Sequence, residues 1–230
     1  MAEQPSEAMK AALLVVDMQE DFCPPNGSLA VASARDTIPL INSLLALPSF
    51  AIRIATKDWH PASHISFACN HAGKQPFVDT CTVVNPNDPA DSYETRLWPV
   101  HCVQDTPGAA LVTELDATRF DRVIEKGIDP RVEMYSAFYD PFTPHVSDSG
   151  LAAILKDAAI THVYVVGLAG DYCVRHTAVD AATEGFTTFI IEEATRPVDG
   201  PGWPQCKGEI EATGVRVVTQ DSPEVRRLYA

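Results

Sequence analysis

Short apolar runs that alternate with segments of helical spacing constrain the fold of this chain more than any other feature. Each run has four to six residues and is bounded by turn-forming residues, which is typical of a buried β-strand. The runs occupy residues 12–16, 51–56, 122–125, 162–167, 187–192 and 215–219. The sequence therefore predicts six strands.

Helical periodicity fills most of the segments between the predicted strands. Apolar residues recur three or four positions apart within residues 38–45, 151–158 and 174–181, and the last of these segments closes near Gly185. A strand followed by a helix and then by another strand favours parallel pairing, with helices on both faces of the sheet. We therefore predict an α/β fold of three layers, α/β/α, around a six-stranded and mainly parallel sheet.

Composition and charge exclude several classes of protein. Of the 230 residues, 46% are hydrophobic, which is enough for a substantial core. The net charge of −14, from 17 basic and 31 acidic residues, opposes the binding of nucleic acid. The longest apolar run, residues 11–16, is far shorter than the ~18 residues of a membrane-spanning helix, so we expect no membrane association.

The N-terminal residues and the cysteines indicate a reducing compartment. The first ten residues lack the basic stretch and apolar core of a secretory signal. The six cysteines form no CxxC pair, and we interpret them as free thiols. These features favour the cytoplasm and leave the nucleus open. The sequence does not decide between a monomer and a homo-oligomer.

Two proline-rich stretches, residues 61–100 and 129–150, interrupt the alternation of strands and helices. Their prolines stand among His, Cys, Trp, Tyr and Phe residues with little periodicity, which is typical of ordered loops rather than framework elements. We predict that both stretches form walls of a pocket. Residues 11–230 are predicted to form one domain, and residues 1–10 a flexible N-terminal tail.

Polar and reactive residues follow four of the predicted strands directly. They are Asp17, Asp58 with His60, Lys126, and Cys173 after a turn that contains glycine. Because the carboxyl ends of parallel strands meet at one edge of a sheet, where open α/β folds bind ligands, we expect these side chains to lie together.

Cys173, Asp17 and Lys126 combine a nucleophile, a proton carrier and a cation. Cys173 stands where a helix begins, and the helix dipole together with a nearby Lys126 favours its thiolate. A thiolate attacks carbonyl carbon well, and Asp17 can carry the proton to a leaving group. The competing interpretations are a packed small cysteine, a turn-capping aspartate and a solvated lysine at a strand end.

A second group of residues has the composition of a metal site. Asp58 and His60 are spaced DxH at a strand end, and His101 stands in the segment WPVHC. Two imidazoles and a carboxylate suit Zn²⁺ or a similar divalent ion and leave coordination positions open. Glu133 is a further candidate ligand, which would contact the metal directly or through water. For His64, the sequence does not decide between a metal ligand and a surface histidine. The remaining histidines are interpreted as surface residues.

Aromatic residues flank the reactive residues along the chain. They are Phe22, Trp98, Tyr135 and Tyr172, each within a few residues of a candidate site residue. Flat rings clamp a flat substrate well, and we predict that these four bind the substrate. The alternative is that they belong to the core.

The segments VVDMQEDFCPPNGSLAV, TKDWHPASHISF, LWPVHC, EKG, YSAF and GLAGDYCVRHTA occur in this order along the chain. Together they resemble the nicotinamidases of the isochorismatase-like hydrolase superfamily, most closely the fungal type. The similarity runs from about residue 13 to residue 218. It implies an isochorismatase-like hydrolase fold and an enzyme that hydrolyses nicotinamide, and also pyrazinamide, to the acid and ammonia through a cysteine thioester. In NAD salvage, that reaction returns nicotinic acid.

The resemblance also implies roles for individual residues. Asp17, Lys126 and Cys173 would form the catalytic triad. Asp58, His60 and His101 would hold the metal, with Glu133 contacting a metal-bound water. The pyridine nitrogen would bind the metal while Phe22, Trp98 and Tyr172 sandwich the ring. A cis peptide at Leu168–Ala169 would direct the amides of Ala169 and Cys173 at the oxyanion.

Two features depart from the family pattern. The turn reads Ala169, Gly170, Asp171 where bulkier Leu and Glu are expected, which changes a pocket wall. Cys23 beside Phe22 would make the enzyme sensitive to oxidation.

Three other functions compete with nicotinamide hydrolysis. The first is hydrolysis of another small amide or carbamoyl compound. The metal-binding residues argue against it, because the open metal position would recognise a pyridine nitrogen. The second is cleavage of a vinyl ether, as in isochorismatase itself, which needs no cysteine nucleophile. The third is a pyridine-binding sensor without activity, although no triad or metal residue is missing.

Overall fold

The computed structural model describes residues 9–230. All but the last two residues of the predicted N-terminal tail, residues 1–10, lie outside the described residues. The longest helix within residues 9–230 has 11 residues, and no helix there has both the length and the apolar character needed to cross a membrane.

Six parallel strands form the central sheet, which confirms the predicted α/β class. The strands are β1 (Ala11–Val16), β2 (Phe50–Asp58), β5 (Arg122–Lys126), β6 (His162–Leu168), β7 (Thr187–Arg196) and β8 (Arg216–Val218). Their order across the sheet is β5-β2-β1-β6-β7-β8, and every neighbouring pair is parallel. The chain order therefore reverses between β1 and β6, which is where ligand crevices form in open α/β sheets.

Alternation along β1 explains the three layers. All six of its residues are buried, as expected for a central strand covered on both faces. Leu13 and Val15 pack into one hydrophobic cluster, whereas Leu14 and Val16 pack into another on the opposite face.

Helices cover each face of the sheet. They are α1 (Ile38–Leu45), α2 (Leu151–Asp157), α3 (Cys173–Thr183), α4 (Trp203–Glu211) and α5 (Pro223–Arg226). Helices α1 and α5 bury their apolar residues in the cluster of Leu13, and α2, α3 and α4 bury theirs in the cluster of Leu14. The periodicity of α1, α2 and α3 is evident in the sequence. Helix α4 is not among the predicted helices, because its three buried residues stand among Pro, Gly and charged residues that obscure the apolar spacing.

Two strand ends differ from the sequence prediction in a way that matters for the site. Strands β2 and β5 extend to Asp58 and Lys126, so these two residues end their strands instead of following them. Both positions are buried, and the ladder between β2 and β5 pairs them directly. Their side chains are therefore held by regular backbone rather than by a loop.

The stretch 61–100 contains an antiparallel hairpin that the periodicity did not reveal. Its strands are β3 (Thr80–Asn85) and β4 (Asp88–Arg96). Most residues of this hairpin are exposed or half-buried, so it lacks the apolar runs that mark the central strands. The stretch 129–150 contains neither a helix nor a strand, as predicted.

Candidate active site

The carboxyl ends of four strands bring the reactive side chains together. Asp17 follows β1, Asp58 ends β2, Lys126 ends β5, and Cys173 begins α3 after β6. Ligand atoms of Asp17, Asp58 and Cys173 all lie within 4.8 Å of one another. The convergence expected from parallel strand ends is therefore present.

Lys126 is the centre of this group. Its Nζ lies 3.0 Å from Oδ2 of Asp17 and 3.5 Å from Sγ of Cys173, and it also donates a hydrogen bond to Asp58. Burial alone would lower the pKa of Lys126, but the carboxylates of Asp17 and Asp58 outweigh burial and hold that pKa well above its ordinary value. The side chain is only 1% exposed and is an ammonium.

Asp17 offers one satisfied and one unsatisfied carboxylate oxygen. The hydroxyl of Thr56 donates to Oδ1 at 2.5 Å. Oδ2 faces Lys126 at ion-pair distance but without hydrogen-bond geometry, and it accepts no hydrogen bond from residues 9–230. Burial raises the pKa of Asp17, and Lys126 and Thr56 oppose that shift in part. This arrangement suits a carboxylate that takes up and releases a proton.

Cys173 is buried, and its surroundings oppose the thiolate that the sequence predicts. Burial raises the pKa of the Cys173 thiol well above its ordinary value, and the ammonium of Lys126 opposes this shift only in part. The neighbouring carboxylates of Asp17 and Asp58 raise it further. Burial and the two carboxylates thus favour the thiol over the thiolate, and the carboxylate of Asp17 lies beside it.

Backbone amides converge at the turn before Cys173. A cis peptide joins Leu168 and Ala169, at the position that the resemblance implies. The amides of Tyr172 and Val174 both donate to the carbonyl oxygen of Ala169 at 3.0 Å. Within residues 9–230, neither Ala169 nor Cys173 donates its backbone N–H to a backbone acceptor. These two donors remain available to a ligand.

Asp58, His60 and His101 have the arrangement of a metal site. The Nε2 atoms of His60 and His101 lie 3.5 and 3.8 Å from the same oxygen of Asp58. Each Nδ1 is bonded to a backbone carbonyl at 2.8 Å, that of Gly127 for His60 and that of Pro99 for His101. Such bonds keep the proton on Nδ1 and direct a bare Nε2 at a cation. The three donors fit Zn²⁺.

Glu133 and His64 lie beside this donor set. Glu133 and His64 each place a ligand atom within 4.8 Å of His60. Oε1 of Glu133 accepts the N–H of Met134, and burial raises the pKa of Glu133 to about 7. Both ring nitrogens of His64 bond to other groups, at 2.8 Å to Ser66 and 3.1 Å to Val132. His64 therefore packs against His60 without a free ring nitrogen, whereas Glu133 lines the pocket next to the three donors.

A pocket of about 410 Å³, including its open mouth, opens onto the thiol and the metal site. The four predicted aromatic residues line it, namely Phe22, Trp98, Tyr135 and Tyr172. Asp58, His101, Glu133 and Cys173 also line it, together with Ala169. Aromatic rings on the walls of a pocket suit a small flat ligand.

The sequence analysis missed three apolar residues of the pocket and two polar supports. Leu29, Val31 and Val198 line the pocket but carry no chemical signal. Thr56 and Gln19 hold the strand ends. The side chain of Gln19 accepts the N–H of Asp58 and donates to its carbonyl, each at 2.8 Å. These are polar residues buried next to a strand end, which is the signal that would have identified them.

Cys23 does not have the surroundings of an oxidation-sensitive residue. Its side chain is buried completely, and burial raises its pKa to about 11. Oxidation requires an accessible thiolate, so the expectation of sensitivity at this position is wrong.

Comparisons with known proteins agree with the site. The family model described as Isochorismatase domain matches residues 11–222. A nicotinamidase from Acinetobacter baylyi is 42% identical over 214 residues, 93% of this chain and 94% of that protein. The yeast nicotinamidase bound to the inhibitor nicotinaldehyde has a TM-score of 0.85 and 36% identity, covering 91% of this chain and 99% of that one.

A third comparison bears on the metal. The pyrazinamidase of Pyrococcus horikoshii in complex with zinc has a TM-score of 0.68 and 32% identity, covering 91% of this chain and 99% of that one. The matched lengths leave no large part of the fold outside the comparison. The chain therefore belongs to the isochorismatase family and, within it, to the nicotinamidases.

Proposed function

We propose that this protein hydrolyses nicotinamide to nicotinic acid and ammonia, with Cys173 as the nucleophile. One observation carries the proposal: the buried ammonium of Lys126 contacts Asp17, Asp58 and the thiol of Cys173 at once. It therefore joins the nucleophile and its base to the group that would hold a metal. An amide whose ring carries a nitrogen atom is recognised by both halves of such a site.

Asp58, His60 and His101 would hold a divalent ion, and Glu133 would contact it through water. We propose Zn²⁺, because two imidazoles and a carboxylate suit that ion and because a homologous structure contains zinc. When bound, the ion supplies an open coordination position for the pyridine nitrogen of the substrate. All later steps belong to side chains and backbone groups of the chain.

Formation of the thioester begins at the thiol. Asp17 takes the thiol proton, and Sγ of Cys173 forms a bond to the carboxamide carbon while the carbonyl π electrons move onto oxygen. The N–H groups of Ala169 and Cys173 donate to that oxyanion. Asp17 then gives its proton to the amide nitrogen, the C–N bond breaks, and ammonia leaves.

Hydrolysis of the thioester uses the same residues in the reverse sense. Asp17 takes a proton from water, and the hydroxyl oxygen bonds to the thioester carbon. The C–S bond then breaks, and the sulfur of Cys173 regains the proton from Asp17, which releases nicotinic acid. Lys126 holds both carboxylates and the sulfur in place throughout, so that a cation stays beside the negative charge of this buried site.

The aromatic residues would position the ring. Trp98 donates its Nε1 hydrogen to the hydroxyl of Tyr135 at 2.9 Å, and Tyr135 stacks on His176. Tyr172 meets Trp98 edge to face with ring centroids 4.9 Å apart. These contacts keep the walls rigid and preserve a slot for a flat ring. Pyrazinamide fits the same requirements, because its diazine ring also carries a carboxamide and a nitrogen donor.

The product indicates the cellular role. Nicotinic acid is a precursor for pyridine nucleotides, so we place the reaction in NAD salvage. Because the six cysteines are free thiols, which favours a reducing compartment, we place the protein in the cytoplasm.

The experiment that tests the function is ammonia release from nicotinamide by the purified protein loaded with zinc. A second sample is treated with a chelator, and a third is treated and then resupplied with zinc. We expect release in the first and third samples and at least a tenfold smaller rate in the second. If the zinc-loaded protein releases no ammonia from nicotinamide, the proposal is wrong. A panel of other small amides then distinguishes a different amidase from a sensor.

A further inference from the structure

The turn before Cys173 is tied to the segment that joins β7 to α4. Asp171 accepts the N–H of Val198 on one carboxylate oxygen and the N–H of Asp199 on the other, both at 2.8 Å. The N–H of Gly170 donates to the carbonyl of Arg196, also at 2.8 Å. Three hydrogen bonds thus fix residues 196–199 against residues 170 and 171.

Close packing supports the same connection. A Cβ atom at Gly170 would lie 3.0 Å from the ring of Trp203 and 3.1 Å from the methyl group of Thr195. Trp203 is 9% exposed and begins α4, and its Nε1 donates to Glu192. The absence of a side chain at Gly170 therefore lets this tryptophan pack directly against the turn. The segment is held at both of its ends.

Val198 is the part of this segment that reaches the pocket. Among residues 9–230, it is the only lining residue that follows α3 in the chain. Leu29 and Val31 line the same pocket and are buried, whereas Val198 is 36% exposed, as expected at the mouth. Its isopropyl group thus stands between the pocket and solvent.

We propose that Val198 sets the size of the ring substituents that the pocket accepts, and that Asp171 is the positioning residue that holds it there. The inference rests on the proposed function, since it concerns the substrate of the same site. An apolar side chain on a loop can limit the size of the substrate only if the loop is fixed. The paired hydrogen bonds to Asp171 fix this loop. One methylene group too many in a tight apolar pocket costs about 10- to 200-fold in kcat/KM.

The test uses nicotinamides that carry a methyl or ethyl group at ring position 4, 5 or 6. For each compound, kcat/KM is divided by that for nicotinamide with the same enzyme. We expect Val198→Ala to raise this ratio by about tenfold for at least one compound. Ratios unchanged across the whole series would show that Val198 does not limit substrate size.

Asp171→Ala tests the positioning role. It should raise the same ratios as Val198→Ala and also speed hydrogen exchange at the amides of Val198 and Asp199. Asp171→Asn keeps one acceptor oxygen and should give intermediate ratios. In the Val198→Ala background, Asp171→Ala should add no further change to the ratios, because the side chain that it positions is already gone. A further change there, or unaltered exchange, would contradict the positioning role.

The control is Asp121→Ala. Asp121 also accepts a backbone N–H, from Arg53 at 2.7 Å, but it precedes β5 and lies at the other end of that strand from Lys126. This variant should leave the ratios unaltered. Equilibrium binding of the same compounds, followed by tryptophan fluorescence, is measured beside turnover. If the wild-type protein releases no ammonia, the proposed function fails, whereas the order of affinities in Val198→Ala still decides the inference on size.

Discussion

Nζ of Lys126 lies 3.0 Å from Oδ2 of Asp17, and both side chains are fully buried. The ammonium also pairs with Asp58, so two carboxylates share one buried cation. Removing one partner of such a buried group leaves uncompensated charge, which costs far more than losing an ion pair at the surface. Stability and activity are therefore coupled at this position.

Lys126→Met should lower both the stability and the activity of the protein. We expect the free energy of unfolding to fall by about 3–5 kcal/mol at neutral pH, because the carboxylates of Asp17 and Asp58 lose their counter-ion. Ammonia release should fall by at least about 10³-fold. Lys156→Met is the control: Lys156 pairs with Glu184 at the surface, so that variant should lose less than about 1 kcal/mol. Denaturant unfolding measures the stability of both variants, and similar losses of stability in the two would contradict the central role of Lys126.

Asp17→Asn should separate catalysis from folding. The amide keeps the size of the carboxylate and can still accept a hydrogen bond from Thr56, but it cannot take up a proton. We expect kcat to fall by about 10²- to 10⁴-fold while the far-ultraviolet circular dichroism spectrum stays unchanged. Retention of more than a tenth of kcat would show that another group is the base.

Thr56→Val should move the pH dependence of kcat/KM. Burial raises the pKa of Asp17, and the hydroxyl of Thr56 lowers it by stabilising the carboxylate. As a base, Asp17 must be deprotonated, so activity is lost as the pH falls through its raised pKa. Without the hydroxyl, that pKa rises further, and the acid limb should shift to higher pH by about one unit. A limb that stays in place or moves to lower pH would contradict the role of Asp17.

Gly127→Ala should disturb the metal site through His60. Gly127 has a φ of +67°, and an added Cβ would overlap the ring of His60, 2.6 Å from its Nδ1. We expect zinc content after dialysis to fall at least tenfold, and activity to fall with it. Gly73→Ala is a matched control, since Gly73 has a φ of +74° with nothing within 4 Å of the added atom. It should lose about 1 kcal/mol of stability and retain its zinc.

His101→Ala should lower the affinity for zinc by at least about 10²-fold, because it removes one of three protein donors. Competition with a chromophoric chelator measures this directly. His162→Ala is the control, since His162 begins β6 at the opposite end of that strand from the site. Equal zinc affinities for the two variants would rule out His101 as a ligand.

The sequence predicted the parts of this site that follow from strand periodicity and from the geometry of parallel sheets. Asp17, Asp58 and Lys126 are predicted because each stands at the end of an apolar run, and Cys173 because it follows such a run after a short turn; parallel strands end at one edge. The resemblance then added Ala169 and the cis peptide. The catalytic and metal-binding roles of the site residues stay predictions until variants are measured.

Other features depend on contacts between residues far apart in the chain. Nothing in the sequence around Val198 indicates that it lines the pocket, because its position depends on a hydrogen bond to Asp171, 27 positions earlier. The hairpin of β3 and β4 is mostly solvent-exposed and so lacks an apolar pattern. The raised pKa of Cys173 follows from burial, which the charge of Lys126 opposes only in part, and only the assembled site determines this balance.

The most direct measurement is ammonia release from nicotinamide by zinc-loaded Cys173→Ala beside Cys69→Ala. Cys69 is exposed and does not line the pocket, so its variant should match the wild-type rate. Loss of the nucleophile should reduce release by at least about 10³-fold. If Cys173→Ala instead keeps more than a tenth of the wild-type rate, the thioester mechanism is contradicted.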